Sequence, residues 1–205
     1  MLKKSLTLAV LSALACNFAS AAQEPVYAAG NATGNIVFSG HVDRGSAVVM
    51  IKTADGVVDT ELSTGARIIV PSVKLADLQT YGAGTARDFY IELEGYNYNT
   101  AGIMTADITL DGETLGESTD SVYKNKLSGD QAAQNVAVRL RYKGTTEDGT
   151  AQLFQDNTPL VATFNKSYGA NDYAFHFDVA LVAVNKDALT SGEVESTVTI
   201  SINYK

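Results

Sequence analysis

Apolar and polar residues alternate in short runs along most of this chain. Turns rich in Gly, Asn, Asp, Ser and Thr separate the runs, and each run has the length of one strand. Alternation with a period of two places apolar side chains on one face of a strand and polar side chains on the other. The pattern predicts an all-β sandwich with strands at residues 35–42, 47–53, 66–73, 88–96, 105–112, 134–143, 159–166, 173–184 and 192–205.

Two stretches interrupt the pattern. Residues 73–82 have room for one helical turn, and residues 116–133 form a polar segment that predicts a surface connection. Neither stretch alternates well enough to predict a strand.

The terminal run is the most regular. A strand this apolar is expected to pair with another strand, because a bare edge invites aggregation. Its apolar face would carry Gly192 at the start and then Val194, Ser196, Val198, Ile200, Ile202 and Tyr204, with Glu195, Thr197, Thr199, Ser201 and Asn203 on the other face.

The beginning of the chain has a matching pattern. Residues 22–34 are small and polar, and they predict a flexible N-terminal extension that leads into a strand. A period of two then places one set of residues on a common face: Ala32, Gly34, Ile36, Phe38, Gly40 and Val42. Both ends of the chain therefore have the character of halves of a β pairing.

Residues 1–21 are predicted to be a secretory signal peptide. Lys3 and Lys4 form a positive start, residues 6–15 form a short apolar stretch, and Ala19 and Ala21 fit a cleavage site before Ala22. Cleavage one residue later is an alternative. Lipid attachment at Cys16 is another, but it is disfavoured because the preceding residues lack the usual leucine.

The remaining chain is expected to form a single domain over residues 35–205. Its formal charge is −8, and removal of Lys3 and Lys4 lowers the basic count from 15 to 13 against 23 acidic residues. An acidic protein of this kind is not expected to bind nucleic acid. The sequence holds no motif for a nucleophile, a metal or a cofactor, so we expect neither an enzyme nor a cofactor.

Four segments together resemble the pilins of the chaperone–usher pathway, which are the subunits of bacterial surface fimbriae. The terminal signature has Gly192 fourteenth from the end and Tyr204 next to last. The segment GNIVFSGHV is similar to the glycine-containing N-terminal strand of that family. The segments DFYIELEGY and QNVAVRLRY resemble later strands of type 1-like subunits.

The resemblance implies an incomplete immunoglobulin-like β-sandwich that is completed by a donor strand from another subunit, a form of β-augmentation. The implied donor residues are Ala32, Gly34, Ile36, Phe38 and Gly40. The implied acceptor groove, also recognised by a chaperone, consists of Gly192, Val194, Val198, Ile200, Ile202 and Tyr204.

The resemblance also implies partners and a location. The partners would be identical or related pilin subunits, a periplasmic chaperone, an outer-membrane usher and a host receptor. The protein would pass through the periplasm to a fimbrium on the cell surface and support adhesion. An adhesin or minor tip subunit that binds a host glycan or protein is the alternative function.

One departure from the family concerns a disulfide. Type 1-like pilins join two strands by a disulfide, but this chain has Ala47 and Tyr96 at the matching positions. A lost disulfide removes about 2–5 kcal/mol of stability from a small secreted domain.

Overall fold

The structure is a computed structural model, and the residues described in it are 29–42, 48–94, 103–115, 121–145, 150–165 and 174–204. They form eleven strands and one α-helix, with short 3-10 turns at Leu62–Thr64 and Lys186–Ala188. The strands are β1 (Asn31–Val42), β2 (Val48–Thr53), β3 (Asp59–Glu61), β4 (Ala66–Lys74), β5 (Arg87–Glu94), β6 (Ile103–Gly112), β7 (Val122–Tyr123), β8 (Val136–Gly144), β9 (Leu160–Asn165), β10 (Ala174–Ala183) and β11 (Gly192–Tyr204).

The strands lie in two sheets. The first sheet has the order β4-β1-β11-β6-β9 and the second has the order β3-β2-β5-β10-β8-β7. Among the described strands, β1 and β11 form a parallel pair, and the other named pairings are antiparallel. The predicted all-β sandwich is confirmed.

An aromatic stack joins the sheets at the centre of the core. Phe38 of β1 in the first sheet lies 5.3 Å, between ring centroids, from Phe89 of β5 in the second sheet. Phe89 in turn lies 5.4 Å from Phe177 of β10. All three side chains are fully buried, so β1 is anchored to the opposite sheet through its own aromatic ring.

The polar connection predicted over residues 116–133 was partly wrong, because it contains β7. Tyr123 of β7 is fully buried, and its hydroxyl donates a hydrogen bond to Asp156 Oδ1 at 2.7 Å. Because the hydroxyl has a hydrogen-bond partner, the ring of Tyr123 can be buried. This residue therefore joins the core although its neighbours in sequence are polar.

The helical turn predicted near residues 73–82 is a helix, α1 (Leu75–Tyr81), which ends at Gly82 with φ 81°. Leu75 and Leu78 bury one face of α1 in the core. Within the described residues, no helix has the length and apolar character needed to cross a membrane.

The source of the strand beside β11 differs from the expectation. A donor strand was expected from another subunit, whereas here β1 of the same chain occupies that position. Strand β1 also begins at Asn31, inside the segment 22–34 that was expected to be flexible. The physical reason is that Ile36 and Phe38 are strongly apolar and the groove beside β11 lies within reach of their own chain.

We expect Phe177→Ala to lower the free energy of unfolding by about 3–5 kcal/mol, because it leaves a cavity among packed aromatic rings. Chemical denaturation of the whole chain measures this change. Val161→Ala is the matched control, since Val161 is 64% exposed and its truncation should cost less than about 0.5 kcal/mol. Equal losses in the two variants would contradict the assignment of Phe177 to the core.

Candidate functional site

The candidate site is the groove between β4 and β11, together with the strand β1 that fills it. Strand β1 runs parallel to β11 from the pair Ala32–Gly192 to the pair Val42–Ile202. On its other side it runs antiparallel to β4, with an irregularity between Ala32 and Gly34. Backbone ladders therefore hold β1 on both sides, and each hydrogen bond contributes about 1 kcal/mol net.

The inward side chains of β1 match the groove in size. Phe38, the largest, lies between Ala66 of β4 and Val198 of β11 in register. Gly34, the smallest, lies between Val70 and Val194. Phe38 therefore has the small Ala66 on its β4 side and Gly34 has valines on both sides, whereas Ile36 faces the large Ile68 of β4. The buried row is close-packed.

Ile36 lies next to a buried hydroxyl instead of a carbon side chain. Its partner in β11 is Ser196, whose hydroxyl donates to the backbone oxygens of Tyr123 and Lys124 at 3.3 and 2.8 Å. Since the hydroxyl is satisfied, it does not disturb the apolar row. Burial of Ile36 and Phe38 stabilises the docked strand by about 1.5–3 kcal/mol each.

Two glycines allow β1 to approach its neighbours. A Cβ at Gly34 would lie 2.6 Å from Leu181 Cδ2, the end of a side chain. A Cβ at Gly40 would meet the backbone oxygen of Ile200 as well as Leu62 Cδ2 at 2.9 Å. Neither glycine has a positive φ, so both are required by space and not by backbone conformation.

The predicted acceptor face of β11 is buried. Val194, Val198, Ile200 and Ile202 have no exposed surface. The side chain of Tyr204 lies outside the described residues. The burial of these four apolar residues agrees with the expected groove, while the role of β11 as an acceptor site stays a prediction.

Gly192 begins β11 in a conformation that other residues rarely adopt. Its φ is 148°, and an added Cβ would lie 2.5 Å from the backbone oxygen of Gln131. The glycine of the terminal signature therefore permits the close approach of residues 131–133 to the start of β11.

An ion pair crosses the outer surface of β1, which sequence reasoning missed. Arg67 of β4 reaches Glu195 of β11, with Nη2 and Oε2 2.5 Å apart, although β1 lies between these strands. Lys126 Nζ binds the other Glu195 oxygen at 2.8 Å. We call Arg67, Glu195 and Lys126 the strap. Hydrogen bonding and the charges of Lys126 and Arg67 lower the pKa of Glu195.

Ala47 and Tyr96, the positions that match the family's disulfide, lie outside the described residues. His176 is buried with its ring centroid 4.2 Å from that of Tyr90. Within the described part of the chain, no group of three or more acidic, histidine or cysteine residues could hold a metal ion.

Comparisons with known proteins give a weak structural likeness and no match in sequence. Neither a protein-family model nor a characterised protein matches the sequence. The fold is similar to the CupB6 tip adhesin from Pseudomonas aeruginosa over 58% of this chain and 36% of that chain, with 12% sequence identity and a TM-score of 0.34. The matched region spans about a third of the length of that adhesin, and a likeness at this level assigns neither family nor function.

We expect Gly40→Ala to destabilise the chain more than Gly34→Ala. The new methyl group at position 40 meets a backbone oxygen that cannot move freely, whereas the one at position 34 meets a side chain. Overpacking of this kind costs about 1–3 kcal/mol, with Gly40 at the upper end. Urea unfolding measures both variants, and Ser39→Ala, at an exposed position of the same strand, is the control. The reverse order would contradict the register of β1.

We expect Glu195→Gln to weaken the acid dependence of stability. The folded pKa of Glu195 lies below its ordinary value of 4.5. The ionised carboxylate therefore stabilises the fold fully above that value, and the contribution disappears as the pH falls through the lowered pKa. Unfolding free energies measured from pH 7 down to pH 3 should fall less steeply in the variant.

Glu193→Gln is the matched control for the strap, because Glu193 is exposed on the same strand. Its pH profile should follow that of the unmodified chain. If the two variants had the same profile, the strap would have no measurable effect on stability.

Proposed function

We propose that this protein is a structural subunit of a bacterial surface fimbria, polymerised head to tail by exchange of β1 between subunits. In this proposal the groove between β4 and β11 is filled in turn by the chain's own β1, by a strand of a periplasmic chaperone, and by β1 of the next subunit. An outer-membrane usher would guide the last exchange at the cell surface. The resemblance described from the sequence motivates the chaperone and the usher.

The observation that carries the proposal is the position of β1 in the chain and in the sheet. An N-terminal strand occupies an internal place in the first sheet, between β4 and β11. Because β1 precedes every other described strand, its departure from the groove would leave the order of strands β2 to β11 unchanged. Exchange of an identical element between protomers is a low-cost route to assembly.

The direction of β1 supports exchange as well. Strand β2 follows β1 in the chain and lies in the other sheet, so the direction of β1 in its own groove is tied to the position of β2. The resulting pairing with β11 is parallel, and parallel pairing is slightly less stable per residue than antiparallel pairing. A strand from another chain is free of this constraint.

The contact geometry supports an open polymer. The donating surface is β1 and the accepting surface is the groove, and these are different parts of the same molecule. Such heterologous contacts grow a filament unless the rotation between subunits closes a ring. The interface would consist of many ladder hydrogen bonds plus buried apolar groups, so dissociation would be slow.

We expect a cysteine pair at Val37 and Thr197 to lock the monomer. These residues are register partners, and neighbouring strands lie about 4.7–4.9 Å apart, within the range that a disulfide spans. Under oxidising conditions V37C/T197C should form no fibres by electron microscopy, and a reductant should restore them. Each single cysteine variant is the control and should form fibres under both conditions.

Strand exchange itself can be followed with a labelled peptide of residues 31–42 added to the whole chain. Incorporation is expected to be slow, because the chain's own β1 must leave first. A peptide carrying I36D and F38D is the matched control and should not be incorporated. If the oxidised V37C/T197C protein still formed fibres, or if the unmodified chain took up both peptides equally, exchange of β1 would be refuted.

A further inference from the structure

A second feature lies on the opposite side of the sandwich from β1. The outer face of the second sheet has an open pocket of about 310 Å³. This is near the lower end of the sizes typical of small-ligand sites, roughly 300–1,000 Å³. Its walls are mainly apolar, and Arg139 contributes the charged group: Leu115 and Val122 lie on one side, Gly82 on another, and Val182 and Val184 at the end of β10.

Three elements fix the shape of this pocket, which we call the Arg139 pocket. The Leu115 N–H donates to the Val122 oxygen at 2.9 Å and closes one wall. The Ala183 N–H donates to the Gly82 oxygen at 2.9 Å and holds the end of α1 against β10. The pocket is therefore built on paired backbone and is pre-formed.

Arg139 lies on β8, in register between Val122 of β7 and Ala180 of β10. Its Nε atom is buried and has no hydrogen-bond partner. The nearest acidic group in the register, Asp178, does not satisfy it. Both carboxylate oxygens of Asp178 already accept from Arg141, at 2.9 and 2.6 Å.

This arrangement is costly for the fold. A buried donor without a partner gives up its hydrogen bonds to water and gains none within the protein, which lowers the stability of the fold. Burial, followed by the like charge of Arg141, lowers the pKa of Arg139. Within the described residues Arg139 forms no ion pair, whereas Arg67, Arg87 and Arg141 each form one.

The chemistry of the pocket selects the kind of ligand. A guanidinium presents donors in a planar fork that matches a carboxylate. One such group among apolar walls suits a monoanion that carries carbon atoms, in preference to a phosphate that needs several donors. Lys186 adds positive charge beside the wall that Gly82 forms. Its Nζ atom lies 3.4 Å from the position that a Cβ atom on Gly82 would occupy.

We propose that the Arg139 pocket binds the carboxylate of a small ligand, with the guanidinium pairing the carboxylate and the apolar walls covering the adjoining carbon atoms. The site lies apart from the groove of β1 and does not depend on strand exchange. The carboxylate could belong to an apolar acid or to an acidic sugar, because both present the same group.

The test is calorimetric titration of the whole chain with hexanoate and with hexanamide, which has the same carbon chain without the charge. Hexanoate is expected to bind at least about tenfold more tightly, since a charge-assisted pair exceeds a neutral hydrogen bond. A further titration with glucuronate distinguishes the two kinds of ligand that could supply the carboxylate. Tighter binding of hexanoate indicates an apolar acid, and tighter binding of glucuronate indicates an acidic sugar.

Arg139→Gln should reduce hexanoate affinity at least about tenfold, while Arg139→Lys should retain part of it. Lys143→Gln is the matched control, because it removes one positive charge from the same strand and should change affinity by less than about twofold. If Arg139→Gln does not fold, the comparison of hexanoate with hexanamide and the Arg139→Lys variant still decide the question.

Three results would overturn the proposal. The first is equal binding of hexanoate and hexanamide, and the second is equal loss in Arg139→Gln and Lys143→Gln. The third concerns Glu117 and Asp120, which lie outside the described residues but close in sequence to Leu115 and Val122. If hexanoate bound only to the E117Q/D120N variant, the pocket would be occupied in the unmodified chain by one of its own carboxylates and would not be a ligand site.

Discussion

Burial of one face of β1 between β4 and β11 is the interaction on which the rest of this structure depends. Without β1, the first sheet is divided, and the apolar face of β11 loses its neighbour on one side. The core also loses Phe38, whose ring contacts the opposite sheet through Phe89. A strand that forms both a sheet interior and part of the core cannot be removed at small cost.

The groove is specific because its width varies along β1. Gly40 is needed where the backbone of β11 approaches, and Phe38 fills a wider space beside Ala66. A one-residue shift would turn Ile36 and Phe38 outward and place polar residues in the core. The register is therefore set by the side chains, and any strand that replaces β1 must present the same order of sizes.

The alternation of the sequence was sufficient to predict the sandwich and the buried faces of both ends. Runs with a period of two correspond to the long strands within a few residues. The predicted inward set of β11 is buried from Val194 to Ile202, and Gly192 at its start is half-buried. Short elements were missed because they carry little periodic signal. β7 has two residues, and only the buried Tyr123 with its Asp156 partner reveals it.

Long-range features could not be predicted in the same way. The strap joins residues that are distant in sequence, Arg67 and Glu195, across an intervening strand. The Arg139 pocket depends on the juxtaposition of α1, β7, β8 and the end of β10. Neither feature has a local pattern, because the contacts are created only when the sheets are assembled.

The intramolecular position of β1 also defines the energetic problem of assembly. A tethered strand competes with any free strand at a high effective concentration, of the order of mM for a short linker. A foreign strand can displace it only by making better contacts or by acting while β1 is out of the groove. The parallel direction of the tethered strand limits its contacts with β11, and the strap across its outer surface opposes its departure. Stability of the monomer and readiness to exchange are thus set by the same few residues around β1.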